Sequence, residues 1–216
     1  MKNYDVILFD LDGTLTDPAE GITKSVEYAL NRYGISVADR RELEPFIGPP
    51  LIDSFMRFYG FSKEDAVNAV AVYREYFSVT GLFENRVYHG IPRLLAALKA
   101  ANKTLLVASS KPEDFVVKIL EHFDLLQYFD FVGGATMSET RTEKTDVVNY
   151  VLEQTGITDR SSCILVGDRK FDVNGAHEAG MDALAVTYGF GSREELTAAG
   201  PDYMADTPEE IKNLLL

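Results

Sequence analysis

The sequence of 216 residues is poor in cysteine, in histidine and in long apolar runs. Its single cysteine, Cys163, excludes an intrachain disulfide and a zinc site of several thiolates, and its apolar surroundings predict a buried strand. The three histidines, His89, His122 and His177, are too scattered for a metal-ligand motif, so we interpret them as structural or surface residues. No apolar run approaches the roughly 20 residues of a membrane-spanning helix.

An excess of positive charge is also lacking, because 21 Lys and Arg residues face 34 Asp and Glu residues, for a formal net charge of −13. Such a chain offers no basic surface to nucleic acid or to an anionic membrane, so we expect neither as a partner. A phosphorylated substrate would need a local positive site, such as a metal ion. The amino terminus enters a strand-like run without a long apolar signal region, which predicts a cytoplasmic protein.

Short apolar runs alternate with helical patterns along most of the chain. The strand-like runs cover residues 6–9, 105–108, 131–132, 164–166, 183–186 and 203–205. Apolar residues recur at helix spacing within residues 91–98, 115–123, 147–152, 176–179 and 211–215. This alternation is typical of a doubly wound α/β fold. The clearest runs lack polar alternation, which predicts a parallel sheet covered on both faces.

The interval between the first two clear strands is too long for one crossover. A parallel crossover needs about a dozen residues together with its helix, and residues 91–100 already supply one. Residues 16–84 are surplus to the sheet and carry helical patterns of their own. We therefore predict an all-helical cap domain over residues 16–84, inserted into a Rossmann-like core of residues 1–15 and 85–216.

Two carboxylates follow the first strand, in the sequence Asp10-Leu11-Asp12-Gly13-Thr14. Asp10 and Asp12 are two residues apart, which on extended backbone places both side chains on one side. Open α/β sheets bind ligands at the carboxyl ends of their strands. Carboxylates that close resist joint ionisation unless a cation neutralises them or one of them stays protonated. The alternative interpretation is a turn with solvated aspartates.

A second pair of carboxylates follows the strand at residues 164–166. Asp168 and Asp172 are four residues apart where a helix is predicted to begin, so they are able to share a helix face. Two strands that each end in carboxylates favour a shared cation, and clustered oxygen ligands suit Mg²⁺. The alternative is that Asp168 caps the helix N-terminus.

Hydroxyl groups and a lysine complete the candidate site. Ser109, Ser110 and Lys111 follow the strand at residues 105–108, where small hydroxyls and free backbone N–H groups are able to cradle a phosphate. No Gly-x-Ser-x-Gly elbow surrounds Ser109, so a serine nucleophile is not indicated. Taken alone, Lys144 is a solvated surface lysine, and the lack of a Walker-type glycine run before it argues against a nucleotide P-loop.

The order of these groups resembles that of the haloacid dehalogenase-like phosphotransferase family, and within it the phosphoglycolate phosphatase branch with a helical cap. The signature matches these positions: Asp10-x-Asp12-Gly13-Thr14 and Gly167-Asp168-x-x-x-Asp172, with Ser109 and Lys144 between them. The resemblance covers essentially the whole chain. It implies a magnesium-dependent phosphatase for a small soluble phosphate monoester, active as a monomer or weak homodimer.

The resemblance implies a catalytic role for each residue that handles phosphate. Asp10 would be the nucleophile that attacks phosphorus and forms an aspartyl-phosphate. Asp12 would be the general acid for the leaving alcohol and then the general base for water. Ser109, Ser110 and Lys144 would hold the phosphoryl oxygens while charge redistributes in the transition state.

The resemblance also implies a set of metal ligands. Asp10, the backbone carbonyl of Asp12 and Asp168 would hold Mg²⁺, with water and phosphate completing the octahedron. Asp172 would lie behind these ligands and orient water molecules or Lys144.

Three other functions remain open: a 5′-nucleotidase, a sugar phosphomutase and a non-catalytic binding module. The complete set of charged residues favours an enzyme over a binding module. Mutases of this family commonly carry a basic residue in the cap loop, and residues 46–51 contain none. Basic residues elsewhere remain available for that role: Lys24, Arg57 and Lys111. The same loop either presents Phe46 and Ile47 to a substrate or separates two helices.

Overall fold

The strands of the computed structural model, which describes residues 2–137 and 140–216, confirm the doubly wound α/β prediction. The strands are β1 (Val6–Phe9), β2 (Thr16–Asp17), β3 (Arg86–Val87), β4 (Thr104–Pro112), β5 (Phe131–Ala135), β6 (Cys163–Gly167), β7 (Asp182–Val186) and β8 (Tyr203–Ala205). Six of them form one sheet in the order β5-β4-β1-β6-β7-β8, with every neighbouring pair parallel. Strands β2 and β3 form a separate two-stranded sheet.

Helices occupy most of the chain between the strands. The α-helices are α1 (Ala19–Arg32), α2 (Leu51–Tyr59), α3 (Lys63–Tyr76), α4 (Ile91–Ala100), α5 (Glu113–His122), α6 (Lys144–Thr155), α7 (Lys170–Glu178), α8 (Arg193–Ala199) and α9 (Pro208–Leu215). Short 3-10 segments cover Arg40–Phe46, Leu126–Tyr128 and Arg160–Ser162, and a π-helical turn covers Phe77–Gly81. No helix in the described part of the chain combines the length and apolar character that crossing a membrane requires.

Both faces of the central strands β1 and β6 are buried, which explains why these strands lack polar alternation. On one face, Leu8 and Cys163 belong to a core cluster with Val148 of α6 and with residues of α7 and α8. The intervening residues of β1, Ile7 and Phe9, are fully buried as well and point to the opposite face. The cysteine therefore lies in the core, as the sequence predicts.

The chain divides into two compact units. The first comprises Met1–Thr16 and Val87–Leu216, and contains the six-stranded sheet. The second comprises Asp17–Arg86 and contains α1, α2 and α3. Within the second unit, α3 packs against both α1 and α2, and the Arg40–Phe46 segment packs against α1.

Several aromatic rings of the second unit pack around Phe46. The ring of Phe46 lies 5.0 Å from that of Phe55, 5.4 Å from that of Phe58 and 6.0 Å from that of Tyr59, measured between centroids. Phe46 and Ile47 are buried. The loop that follows Phe46 therefore separates the Arg40–Phe46 segment from α2, while the Phe46 ring itself packs inside the unit.

Candidate active site

The carboxyl ends of three neighbouring strands bring the predicted residues to one edge of the main sheet. Strand β1 lies between β4 and β6, and Asp10 follows β1 directly. The Asp10 N–H donates to the carbonyl of Val166 in β6 at 2.9 Å, which extends the ladder by one residue. Ser109 lies in β4, and Asp168 follows β6. This edge is where open α/β sheets bind their ligands.

Lys144 is the central cation of the site. Its Nζ donates to Asp10 Oδ1 at 2.7 Å and to the Ala108 carbonyl at 2.8 Å, and it lies 2.8 Å from Asp172 Oδ1. The residue is only 6% exposed, so it is not the solvated surface lysine of the alternative interpretation. Burial opposes the ammonium charge, but the carboxylates of Asp10 and Asp172 outweigh it and raise the pKa of Lys144.

Three carboxylates form a cluster that fits a divalent cation. Asp10, Asp168 and Asp172 each offer an oxygen within 4.8 Å of the others. Asp168 is fully buried, and its Oδ1 has no hydrogen-bond partner among the described residues. Burial and the carboxylates of Asp172 and Asp10 raise the pKa of Asp168, and a bound cation would offset that repulsion. Hard oxygen donors of this kind suit Mg²⁺.

Asp172 both caps a helix and contacts Lys144. Its Oδ2 accepts the Arg169 N–H at 3.0 Å, at the N-terminus of α7. Burial raises the pKa of Asp172, although the Lys144 ammonium partly offsets that effect. The capping that the alternative interpretation assigned to Asp168 is thus performed by Asp172, while Asp168 joins the carboxylate cluster.

Asp12 has a cation of its own. Its Oδ2 lies 2.7 Å from the Nζ of Lys111, and both side chains are largely buried. Burial raises the pKa of Asp12 even though Lys111 opposes the shift. The carboxylate of Asp12 lies outside the three-carboxylate cluster, which leaves its backbone carbonyl for the metal role that the resemblance implies. Sequence reasoning missed this partner, because the register of β4 is irregular between Ser109 and Pro112, so the alternation of a regular strand does not predict the direction of the Lys111 side chain.

The two serines lie on the same edge, at the end of β4. Ser109 is buried and directly follows Ala108, the residue whose carbonyl receives Lys144. Its Oγ accepts the Lys111 N–H at 3.4 Å. Ser110 comes next and is half-buried. Contact of either hydroxyl with a phosphate stays a prediction.

A glycine allows the first motif to approach the second. Gly13 has a φ of 87°, in the left-handed region that favours glycine. A Cβ at this position would lie 2.1 Å from Asp168 Oδ2. The Gly13 N–H donates to the Thr16 carbonyl at 2.7 Å and so closes the turn. The turn after β1 therefore lies directly against Asp168.

Sequence reasoning also missed a segment after β7 that contacts both motifs. Tyr188 donates its hydroxyl hydrogen to the Thr14 carbonyl at 2.9 Å. The Phe190 N–H donates to Asp168 Oδ2 at 2.7 Å. The signal available in the sequence was a Gly-x-Gly pattern, Gly189 and Gly191, directly after a strand of the same sheet.

Comparison with known proteins supplies the family context of this site. Residues 7–186 match the family model described as haloacid dehalogenase-like hydrolase. The chain is 49% identical over 204 residues to a 5′-nucleotidase of Pseudomonas aeruginosa, which covers 94% of this chain and 92% of that protein. It is 38% identical over 217 residues to tyrosine-protein kinase PtkA of Mycobacterium tuberculosis, covering 99% of this chain and 73% of that protein. Relatives named phosphoglycolate phosphatase are 24–27% identical.

A solved structure agrees closely with the fold. It is described as a predicted phosphatase from Clostridium acetobutylicum and is 47% identical to this chain, with a TM-score of 0.95. The superposition covers 99% of this chain and 98% of that one.

Proposed function

Because the chain belongs to the haloacid dehalogenase-like hydrolase family and is a phosphatase, we propose that it hydrolyses 5′-mononucleotides with Mg²⁺ as cofactor. The sequence resemblance favoured a phosphoglycolate-like ester and kept a nucleotide as an alternative. The 49% identity to a 5′-nucleotidase, against 24–27% for relatives named phosphoglycolate phosphatase, supports the nucleotide. The observation that carries the chemistry is the buried cluster of Asp10, Lys144 and Asp168 at one edge of the sheet.

In the first half-reaction, a carboxylate oxygen of Asp10 attacks phosphorus, and the bond from phosphorus to the leaving alcohol oxygen breaks. Asp12 transfers its proton to that oxygen, so the alcohol leaves as a neutral molecule. Lys111, which lies 2.7 Å from Asp12 Oδ2, holds the Asp12 side chain in place for this transfer. The product that stays on the enzyme is an aspartyl-phosphate on Asp10.

In the second half-reaction, Asp12 accepts a proton from water as the water oxygen attacks phosphorus. The bond between phosphorus and Asp10 breaks, which regenerates the Asp10 carboxylate and releases inorganic phosphate. Lys144, Ser109 and Ser110 hold the phosphoryl oxygens during both steps, because positive charge and fixed donors favour the charge that develops in the transition state. Lys144 is already held by Asp10 and the Ala108 carbonyl.

The metal is proposed from the donor set of the carboxylate cluster. Asp10, Asp168 and the backbone carbonyl of Asp12 would hold Mg²⁺. Asp172 would orient Lys144 through the ion pair between their side chains. When bound, Mg²⁺ supplies positive charge that offsets the repulsion between these carboxylates and an incoming phosphate dianion.

We also propose that the second unit, which corresponds to the predicted cap at residues 16–84, selects the substrate. A chimera in which residues 17–86 are exchanged for the matching segment of a phosphoglycolate phosphatase tests this proposal. We expect the ranking of kcat/KM to move toward 2-phosphoglycolate. A folded chimera with the original ranking would show that selection resides in the first unit.

The substrate assignment is tested by kinetics on a panel of phosphate esters with Mg²⁺. We expect 5′-AMP, 5′-GMP and 5′-UMP to have higher kcat/KM than 2-phosphoglycolate, and excess chelator to abolish turnover. A tenfold preference for 2-phosphoglycolate would overturn the nucleotide proposal. Conversion of glucose 1-phosphate to glucose 6-phosphate without phosphate release, followed by NMR, would favour the mutase instead.

A further inference from the structure

The segment Tyr188-Gly189-Phe190-Gly191, here called the 188–191 loop, lies between β7 and α8 and contacts both aspartate motifs. Its first residue reaches the turn after β1, where the Tyr188 hydroxyl donates to the Thr14 carbonyl at 2.9 Å. Its third residue reaches the end of β6, where the Phe190 N–H donates to Asp168 Oδ2 at 2.7 Å. The loop thus ties together two chain segments that are far apart in the sequence.

The glycines of the loop permit this close approach. A Cβ on Gly189 would lie 2.4 Å from Asp168 Oδ2 and 2.4 Å from the carbonyl oxygen of Gly13. A Cβ on Gly191 would lie 2.0 Å from the carbonyl oxygen of Asp168. Real Cβ atoms do not sit so near other heavy atoms, so side chains at these positions would displace the loop from Asp168.

The hydrogen bond from Phe190 makes the two carboxylate oxygens of Asp168 different from each other. Oδ2 receives the N–H of Phe190, whereas Oδ1 is buried and has no hydrogen-bond partner among the described residues. A buried carboxylate oxygen without a donor is unfavourable unless another group binds it. The arrangement therefore leaves one defined oxygen of Asp168 for a cation.

We propose that the 188–191 loop is the positioning element of the metal site. The Phe190 N–H fixes the orientation of Asp168, and the Tyr188 hydroxyl holds the turn that carries Asp10 and the Asp12 carbonyl. This inference rests on the proposed Mg²⁺ site. It states that the affinity of this site for Mg²⁺ depends in part on Tyr188 and Phe190, which do not themselves contact the cation. Partners that orient metal ligands typically contribute 10- to 100-fold in metal affinity.

The test measures Mg²⁺ affinity rather than activity, from the rise in Tm of the purified full chain as MgCl₂ is added. Phe190→Pro removes the N–H donor, whereas Phe190→Ala keeps it and removes only the ring. We expect the apparent Kd for Mg²⁺ to rise roughly 10- to 100-fold in Phe190→Pro. We expect it to stay within about twofold of the wild-type value in Phe190→Ala.

A second matched pair covers the case in which Phe190→Pro fails to fold. Tyr188→Phe removes the hydroxyl that holds Thr14, and Tyr4→Phe removes a buried hydroxyl that bonds Asp182 near the amino end of β1. We expect Tyr188→Phe to raise the apparent Kd for Mg²⁺ by roughly three- to tenfold, the range of one net hydrogen bond. Tyr4→Phe should lower Tm without changing that Kd.

The outcomes separate this inference from the proposed function. If wild-type protein gains Tm with Mg²⁺ and Tyr188→Phe has the wild-type Kd, the positioning role is wrong while the metal site stands. A wild-type Kd in folded Phe190→Pro would overturn the role of the Phe190 N–H in the same way. If wild-type protein itself shows no Mg²⁺-dependent gain, the metal site fails and the positioning role fails with it.

Discussion

The two compact units bury different kinds of side chain. In the first unit, four charged residues of the candidate active site are buried: Asp10, Lys144, Asp168 and Asp172. In the second unit, Asp17–Arg86, all of whose residues are described, no charged side chain is buried. Its core contains aromatic rings such as Phe46 and Phe55, 5.0 Å apart.

The difference indicates that the first unit contains buried charges that do not serve to stabilise the fold. Taking charges out of water is unfavourable even when they are paired, and apolar residues of similar size are often at least as stabilising. Ion pairs of the second unit stay partly exposed, as Lys24 and Glu84 do at 27% and 20% side-chain exposure. A buried charged cluster is therefore a property of the candidate active site and not of the fold as a whole.

The largest expected effect concerns Asp10, the proposed nucleophile of the first unit. Asp10→Asn removes the attacking carboxylate, so turnover of p-nitrophenyl phosphate should fall by at least on the order of 10⁴-fold. Asp5→Asn, which changes an exposed aspartate before the amino end of β1, is the matched control and should keep wild-type kcat. Comparable activity in both variants would remove Asp10 from the mechanism.

The second prediction compares a buried lysine with a partly exposed one. Lys144→Met leaves Asp10 and Asp172 buried without their cation, which should lower the free energy of unfolding by about 3–5 kcal/mol. Lys24→Met breaks the exposed pairs of the second unit and should lower it by at most about 1 kcal/mol. Urea denaturation in chelator measures both variants, and equal losses would contradict the contrast between the units.

The third prediction uses pH to isolate repulsion within the carboxylate cluster. Burial and two neighbouring carboxylates raise the pKa of Asp168 above its usual 3.8, so this group binds a proton more readily in the folded protein than in the unfolded chain. The contribution of Asp168 to wild-type stability in chelator therefore falls as pH rises from about 4 toward the raised value. Asp168→Asn does not ionise, so it should not show this pH-dependent loss of stability. The asparagine keeps a side-chain oxygen that is able to accept the Phe190 N–H.

We accordingly expect the Tm of Asp168→Asn in chelator to equal or exceed that of wild type at pH 8, with a smaller difference at pH 5. Addition of Mg²⁺ should raise Tm in wild type only. A variant that is several degrees less stable in chelator at pH 8, or that retains the Mg²⁺-dependent gain, would show that Asp168 serves packing and not the cation.

The fold was predictable wherever apolar runs and helix spacing were unbroken. Strand β1 has the predicted bounds, residues 6–9, because every one of its side chains is buried. Strand β4 extends beyond the predicted residues 105–108 to Pro112, because polar Ser109 still pairs with Gly134 in β5. The 3-10 segment and the π-helical turn of the second unit were missed, since neither has a repeating apolar period long enough to recognise.

The sequence predicted that the two aspartate motifs meet at one edge of the sheet, but not which charged side chains pair there. Spacing brings Asp10 and Asp168 to one edge, whereas the contact of Lys144 with Asp10 joins residues 134 positions apart. The pairing of Asp12 with Lys111 depends on how two neighbouring strands end, which a single sequence does not contain. The contacts of the 188–191 loop were missed as well. One is made by the backbone N–H of Phe190 and the other by the hydroxyl of Tyr188, and neither group belongs to a recognisable sequence motif.

Trapping the intermediate in Asp12→Asn would test the proposed aspartyl-phosphate mechanism most sharply. Loss of this residue removes the proton transfer, typically worth ~10²–10⁴-fold, but leaves the Asp10 carboxylate. The first step should suffer least with p-nitrophenyl phosphate, whose leaving group needs little protonation, while the second step still lacks its base. We expect a phosphorylated protein by intact mass, cleared by hydroxylamine, with the phosphoryl group mapped to Asp10. A phosphoryl group on Ser109, Ser110 or a histidine would contradict this mechanism.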